Sequence, residues 1–441
     1  MESVLAFVIG VAIIVVGLAL SIGLHEIGHL VPAKLFGVKV TQYMIGFGPT
    51  IWSRRKGETE YGVKAIPLGG YIAMIGMFPP GKDGATREDS TGFLRGLVQD
   101  ARDSSAESIT PGDEHRAFYR LPVWKRIVVM FGGPFMNLVL AVVLFGVLLM
   151  GFGVTQASTT IGTVSECALP ATSERQTCES GDPAAPGAEA GIQPGDTIIA
   201  VDGTPISSWT ESTEIIRAHP GEQIPVVVER DGDEVTLQVT PLLSERYATD
   251  QLGRVVTGSD GAPVTIEVGF VGIGAATETV RQPVTAVLPM VGENVQAVGG
   301  IILNLPQRMV DVANAAFGSE ERDPDGPISV VGVGRVAGEI ASLDEVPIAA
   351  RAAGLVGILA SLNVALFVFN LIPLLPLDGG HIAGALWEAI RRGWAKVRRR
   401  PDPGPVDLAK LMPLTFAMVV ILGGMSALLI YADIVKPISV L

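Results

Sequence analysis

The chain has 441 residues, of which 48% are hydrophobic and only 17% charged, with a formal net charge of −13. This balance places it among membrane proteins, and its acidity argues against nucleic acid as a partner, since that affinity rests on cations set against phosphate. Length alone allows two or three domains.

Four apolar runs, near 3–24, 126–153, 352–377 and 411–433, are long enough to cross a bilayer. The first lacks the basic start and small-residue cleavage site of a signal peptide, so it reads as a retained span. It leads from Val4–Leu24, a stretch with no charged residue, straight into His25-Glu26-Ile27-Gly28-His29. That spacing predicts a helix with two imidazoles on one face, one turn apart. Such a pair can hold Zn²⁺, with Glu26 as general base. Ionisable side chains inside a span are costly and mark function.

Lys34, Lys39, Arg54, Arg55, Lys56 and Lys64 follow span one, and Arg116, Arg120, Lys125 and Arg126 precede span two. Arg391, Arg392, Lys396, Arg398, Arg399 and Arg400 lie between spans three and four. The positive-inside rule makes these segments cytoplasmic, so both termini and residues 154–350 are expected outside. Residues 153–350 hold 28 acids, nine arginines and no lysine, a net of −19 that leaves +6 for the rest of the chain. The acidity is therefore an extracytoplasmic property. Cys167 and Cys178 both fall in that outer segment, where a disulfide is plausible and two free thiols are the alternative.

Within the outer segment, Pro194-Gly195-Asp196 and Asp202-Gly203 are turn signals around a short β-branched run. Pro225 to Val239 holds two more strand-like runs parted by Asp231-Gly232-Asp233, with a helix expected at about 211–218. Residues 282–309 are interrupted by charge and read as an amphipathic surface helix.

A catalytic zinc usually takes three protein ligands and keeps one position open. Asp378 is the candidate third ligand, in an apolar run broken by Pro373, Pro376, Gly379 and Gly380. Spans one and three both start outside, so His25, His29 and Asp378 all fall toward the cytoplasmic ends of their spans. That agreement comes from Lys and Arg rather than from the motifs. Asn137 and Asn370 are amides near the same depth. They suit holding a substrate backbone or an oxyanion, with hydrogen bonding between helices as the competing role. His381 adjoins the Asp378 loop and reads as supporting or structural. His115 and His219 read as solvated, and Met130 and Met136 as packing.

These motifs together resemble the site-2 protease family of intramembrane zinc metalloproteases. The resemblance rests on His25-Glu26-x-x-His29 and on Asn370-x-x-Pro373-x-x-Pro376-Leu377-Asp378-Gly379. It extends to Gly133-Pro134-x-x-Asn137, to Pro67-Leu68-Gly69-Gly70-Tyr71, similar to a membrane-associated hairpin, and to Gly326-Pro327-Ile328-Ser329 before span three. It covers most of the chain and is nearest the bacterial, sigma-E-regulating branch with an extracytoplasmic PDZ domain. The stretches near 81–115 and 245–325 match nothing in it. The resemblance implies an α-helical polytopic membrane protein of about four transmembrane helices with an inserted β-rich PDZ-like domain. The domains are then a membrane part at 1–153, a PDZ-like domain at 157–243, a connecting region at 244–350 and a second membrane part at 351–441.

The implied activity is that of a zinc metalloendopeptidase cutting single-span membrane proteins after a first extracytoplasmic cut, with anti-sigma factors or signal-peptide remnants as substrates. His25, His29 and Asp378 would bind Zn²⁺ and Glu26 would move the proton. A helix hides its carbonyls in i→i−4 hydrogen bonds, so the substrate must unwind, and Gly69, Gly70 and Tyr71 offer edge groups to hold it extended. The PDZ-like domain would bind a peptide or free C-terminus, or act as a size filter. The alternative is a catalytically silent PDZ scaffold in the bilayer, whose cellular function would survive Glu26→Gln. A transporter is disfavoured by one localised His₂Asp site and no inverted repeat.

Overall fold

The computed structural model describes residues 2–80, 93–173, 175, 177–248, 255–256, 263–319, 322–323 and 326–438. The start of the acidic stretch at 81–115 lies outside the described residues as far as residue 92. The chain divides into two compact units, one made of residues up to Phe152 together with those from Gln282 onward, the other of Gly153–Arg281.

The first unit opens with helix α1 (Glu2–Leu35), whose early part is apolar on all sides, as a helix in lipid is expected to be. An antiparallel hairpin follows, β1 (Val40–Lys56) and β2 (Thr59–Met74), turning at Gly57. Its near half is buried with α1 through Val40, Tyr43, Met44 and Met74, while Phe47, Ile51, Trp52, Val63 and Ile66 toward its tip are exposed. Helix α2 (Phe93–Glu107) precedes α3 (Val123–Gly146), which continues through Phe152 in a wider turn. α1 and α3 approach at glycine. A methyl group on Gly28 would meet the backbone of Gly132, and one on Gly132 the backbone of Gly28.

The second unit is β-rich. Strands β3 (Val154–Val164), β4 (Thr197–Val201) and β5 (Thr204–Pro205) belong to a six-stranded sheet completed by β6 (Ile224–Arg230), β7 (Asp233–Val239) and β10 (Ile273–Val280). The main order is β10-β3-β4-β6-β7, with β5 pairing with β4. A short helix α4 (Pro186–Glu189) precedes β4. β8 (Leu242–Tyr247) and β9 (Thr265–Phe270) form a separate ribbon. The turn between β6 and β7 places Asp231 and Gly232 at positive φ, which Asp tolerates and Gly favours. Helix α5 (Trp209–Ala218) starts on a complete capping box of Ser208 and Glu211. Ile161, Ile198, Val201, Val226 and Val228 form the core. The unit is wider than the 157–243 segment read from sequence, because β10 returns to pair with β3. Cys167 and Cys178 are bonded, with Cα atoms 5.8 Å apart.

The first unit resumes with α6 (Val287–Leu303), α7 (Leu305–Phe317), α8 (Val330–Ala341), α9 (Ile348–Asn370), α10 (Asp378–Val397) and α11 (Met412–Val435). Among the described residues, five helices are long and apolar enough to cross a membrane, one more than the sequence suggests. The extra one is Val284–Leu303. The surface-helix expectation averaged this segment with Arg308, but the helix ends at Leu303 and leaves Glu293 as its one charge. The third expected span also ends early, at Asn370, and residues 371–377 form a tight non-helical turn before α10. Arg322 pairs with Asp433 in the interior, and Asp433 Oδ2 accepts from the Ser329 amide at 2.6 Å, which ties the Gly326–Ser329 segment to α11. The architecture is an α-helical polytopic membrane protein with an inserted β-rich unit.

Candidate metal centre and active-site cavity

α1 brings His25 and His29 to one face, as the i,i+4 spacing requires. The tight turn at 371–377 aims the first residue of α10 at them. Gly379 and Gly380, in the first turn of α10, are buried against it, and a methyl group on Gly380 would lie 2.6 Å from the Leu375 amide nitrogen. Asp378 Oδ2 stands 3.3 Å from His25 Nε2 and 3.2 Å from His29 Nε2, and the two Nε2 atoms are 3.1 Å apart. All three donor atoms fall within 4.8 Å of one another.

The donor set fits zinc. Bonds of 2.0–2.1 Å in a tetrahedron put neighbouring ligand atoms about 3.4 Å apart, near the edges seen here. Asp378 Oδ2 is buried and has no hydrogen-bond partner, an orphan that a cation at the centre of the triangle would satisfy. His29 Nδ1 donates to the Val129 carbonyl at 2.8 Å, which leaves the Nε2 lone pair facing the triangle. Nδ1 of His25 lies 3.2 Å from the Asn137 side-chain amide. Asn137 Oδ1 is buried and otherwise unpartnered, so the amide orientation that turns it to accept from Nδ1–H satisfies both groups and frees Nε2 of His25. α3 presses on the same place: a methyl group on Gly133 would sit 2.7 Å from His25 Nε2 and 2.6 Å from His29 Cε1.

α10 is held to α3 well away from Asp378. Glu388 is fully buried, accepts from Arg126 at 2.5 Å and Arg392 at 3.1 Å, and takes the Val406 amide at 2.9 Å on its other oxygen. Two charges at this depth are tolerable because they pair with each other and both carboxylate oxygens are hydrogen-bonded.

Beside the triangle lies a cavity of about 470 Å³, walled by Leu18, Ile22, Leu362, Leu366 and Phe369. His25, Glu26, Gly69, Gly70, Asn137 and Asn370 open onto it. Glu26 is the buried acid between the two histidines, and its Cγ is 3.0 Å from where a side chain on Gly70 would begin. Bare backbone at Gly70 leaves room for an extended chain beside the acid. Tyr71 does not reach the cavity. Its hydroxyl is 3.3 Å from Gln42 Oε1 and its ring stacks on Phe47. Asn370 Nδ2 is engaged with the Leu366 carbonyl at 2.9 Å, closing α9 while its residue faces the cavity. His381 packs near Phe78, with Nδ1 buried and without a partner.

Sequence reasoning missed the Val129 carbonyl, which carries no side-chain signal, and the Arg126–Glu388 anchor, whose partners are 262 residues apart. It also passed over Val330 of α8 as a cavity wall.

The profile of peptidase family M50 matches residues 13–401. The chain is 35% identical over 440 residues to a Mycobacterium tuberculosis (H37Rv) protein named zinc metalloprotease Rip1, with 98% of each chain covered. It is 33% identical over 452 residues to the protein of that name in Mycolicibacterium smegmatis, covering 98% of this chain and 99% of the relative. A profile match over most of the chain and relatives aligned along nearly all of it lead to one assignment: the chain belongs to peptidase family M50, the site-2 proteases.

Proposed function

We propose that the chain hydrolyses peptide bonds inside the transmembrane segments of single-span membrane proteins that a first, extracytoplasmic cut has already shortened, with anti-sigma factors or signal-peptide remnants as the substrate class. It is a zinc metalloendopeptidase of the site-2 protease type in a multi-pass membrane protein. The observation that carries the reading is the His25–His29–Asp378 triangle beside an apolar cavity of the membrane unit, onto which His25 and Glu26 open.

His25, His29 and Asp378 hold the metal. Bound Zn²⁺ supplies a Lewis acid that polarises the scissile carbonyl and makes water acidic enough to attack at neutral pH. Glu26 accepts the proton of the attacking water and delivers it to the leaving nitrogen. The apolar walls desolvate the cleft and accept the side chains of an unwound transmembrane segment. The open backbone at Gly69 and Gly70 lets that segment lie along β2, as strand addition would. Asn137 holds His25 in its metal-binding tautomer, and Asn370 completes the cavity wall. In this reading Val284–Leu303 lies along the membrane without crossing it, so that both termini and the β-rich unit are extracytoplasmic; residues 1–153 and 351–441 make the membrane domain, and the PDZ-like part at 157–243 receives a peptide or free C-terminus.

The test is cleavage of a single-span reporter in detergent by the full chain and by Glu26→Gln, with zinc determined in both. Cleavage by the unaltered chain alone, with zinc in both and loss on chelation, supports the reading. Equal cleavage by both refutes the role of Glu26, and absence of both cleavage and zinc favours the silent scaffold.

A further inference from the structure

In the β-rich unit a cavity of about 530 Å³ lies between the chain at 165–173 with the Cys167–Cys178 disulfide on one side and the β8–β9 ribbon on the other. It is lined by Glu166, Leu169, Pro170, Arg175, Arg246 and Phe270 among others. Arg246 stacks on Phe270, its guanidinium carbon 3.5 Å from the ring centroid. Nε and Nη2 of Arg246 are buried and have no hydrogen-bond partner among the described residues. We propose that this cavity binds a peptide carboxylate, with the guanidinium of Arg246 as its principal contact.

The charge pattern makes the unpaired arginine informative. Residues 153–281 hold nineteen acids against six arginines and no lysine, so acid partners are plentiful. Arg175 takes Asp182 at 2.5 and 2.8 Å, and Arg230 takes Asp196 at 2.7 and 2.8 Å. Among the described residues Arg246 takes none, although a buried cation is among the donors that cost most to leave unanswered. Burial and the nearby Arg217 cation hold its pKa below the usual arginine range, so the guanidinium is buried with a like charge in its neighbourhood. Such an arrangement is one that an external anion relieves.

A guanidinium fork pinned flat on an aromatic ring matches the planar, two-oxygen face of a carboxylate. Leu169, Pro170 and Phe270 supply apolar surface for a neighbouring side chain. A net-acidic unit disfavours polyanions, so a single carboxylate on a mostly neutral peptide is the matching charge. Glu166 stands on the same wall and opposes any carboxylate that enters. The cavity is separate from the free edges of the main sheet at β7 and β10, so it is distinct from strand addition at a PDZ-type groove. It also does not depend on the metal centre.

The test is fluorescence anisotropy with the full Glu26→Gln chain in detergent, where hydrolysis cannot be mistaken for binding. The probe is a fluorescein-labelled hexapeptide of Ala, Ser and Val as the free acid, compared with its C-terminal amide and with an amide carrying one internal Asp. Binding of the free acid about 10-fold or more tighter than the neutral amide, lost in Arg246→Gln and only partly kept in Arg246→Lys, supports the site with a C-terminal source. Arg246-dependent binding of the internal-Asp amide alone supports it with a side-chain source. Glu166→Gln should tighten carboxylate binding several-fold, a gain that a misfolded variant cannot produce. Equal binding of acid and neutral amide, unchanged affinity in Arg246→Gln, or weaker binding in Glu166→Gln would overturn the proposal.

Discussion

Gly133→Ala adds one methyl group at the tightest point of the metal centre. The new Cβ would start 2.7 Å from His25 Nε2 and 2.6 Å from His29 Cε1, and would overlap His29 Nε2 more closely still. Ordinary contact begins at 3.4 Å, so ring or helix must yield by about 1 Å, whereas metal–ligand distances tolerate about 0.2 Å and a 1 Å error can cost about 10²-fold in rate. Helix propensity pulls the other way, since Ala is favoured over Gly by up to about 1 kcal/mol. The two effects are therefore separable. The expected result is a chain that still folds, with bound zinc well below one per chain and reporter cleavage reduced about 10²-fold or more. Zinc per chain by mass spectrometry, cleavage rate and thermal unfolding in detergent read the three quantities. Gly146→Ala is the control, because it lies on the same helix with nothing within 4 Å of its added methyl. Full zinc and full activity in Gly133→Ala would refute both the close approach of α3 and the ligand assignment.

Asn137→Leu removes the partner of His25 Nδ1 and should weaken zinc affinity roughly 10–100-fold, measured by competition with a chelating dye, while Asn137→Asp should keep most of it. Glu388→Ala leaves Arg126 buried without its anion and should cost about 3–5 kcal/mol in equilibrium unfolding, with zinc lost in the same transition because α10 carries Asp378. In the β-rich unit the Arg230 guanidinium holds the Asp196 carboxyl below the usual carboxylate range. A depressed native pKa contributes stability that is present above the unfolded value, roughly pH 4, and is lost as the pH falls through the native one. Trp209, packed against the core of this unit, should therefore report acid unfolding that begins at higher pH in Arg230→Gln than in the unaltered chain.

The approach of His25 and His29 was legible because i,i+4 is a local rule: one helix fixes both rings whatever surrounds it. Asp378 was legible for a different reason, an acid among helix breakers in an otherwise apolar run. The inserted β-rich unit announced itself through turn chemistry at Pro194-Gly195-Asp196, Asp202-Gly203 and Asp231-Gly232-Asp233. Its full extent did not, because the return of β10 to β3 joins segments more than a hundred residues apart and leaves no periodic trace. Tyr71 was placed at the site by proximity to Gly69 and Gly70, yet alternation along a strand sends its ring to Phe47 and Gln42 instead. The helix at 284–303 was hidden by a window that ran past its end into Arg308.

What the sequence could least disclose is how the third ligand is kept in place. Asp378 sits at the first residue of a helix, after seven residues without helical hydrogen bonding, and such a junction is free to swing unless something downstream fixes it. Glu388 does this two to three turns along α10, where Arg126, Arg392 and the Val406 amide hold its two oxygens. Arg126 belongs to α3, and α3 also supplies the Val129 carbonyl for His29, Asn137 for His25 and Gly133 against both rings. One helix thus holds His29 through its Nδ1, contacts His25 and anchors the element that bears Asp378, the three proposed ligands. The burial of a charged pair is the cost of holding α10 rigidly against α3.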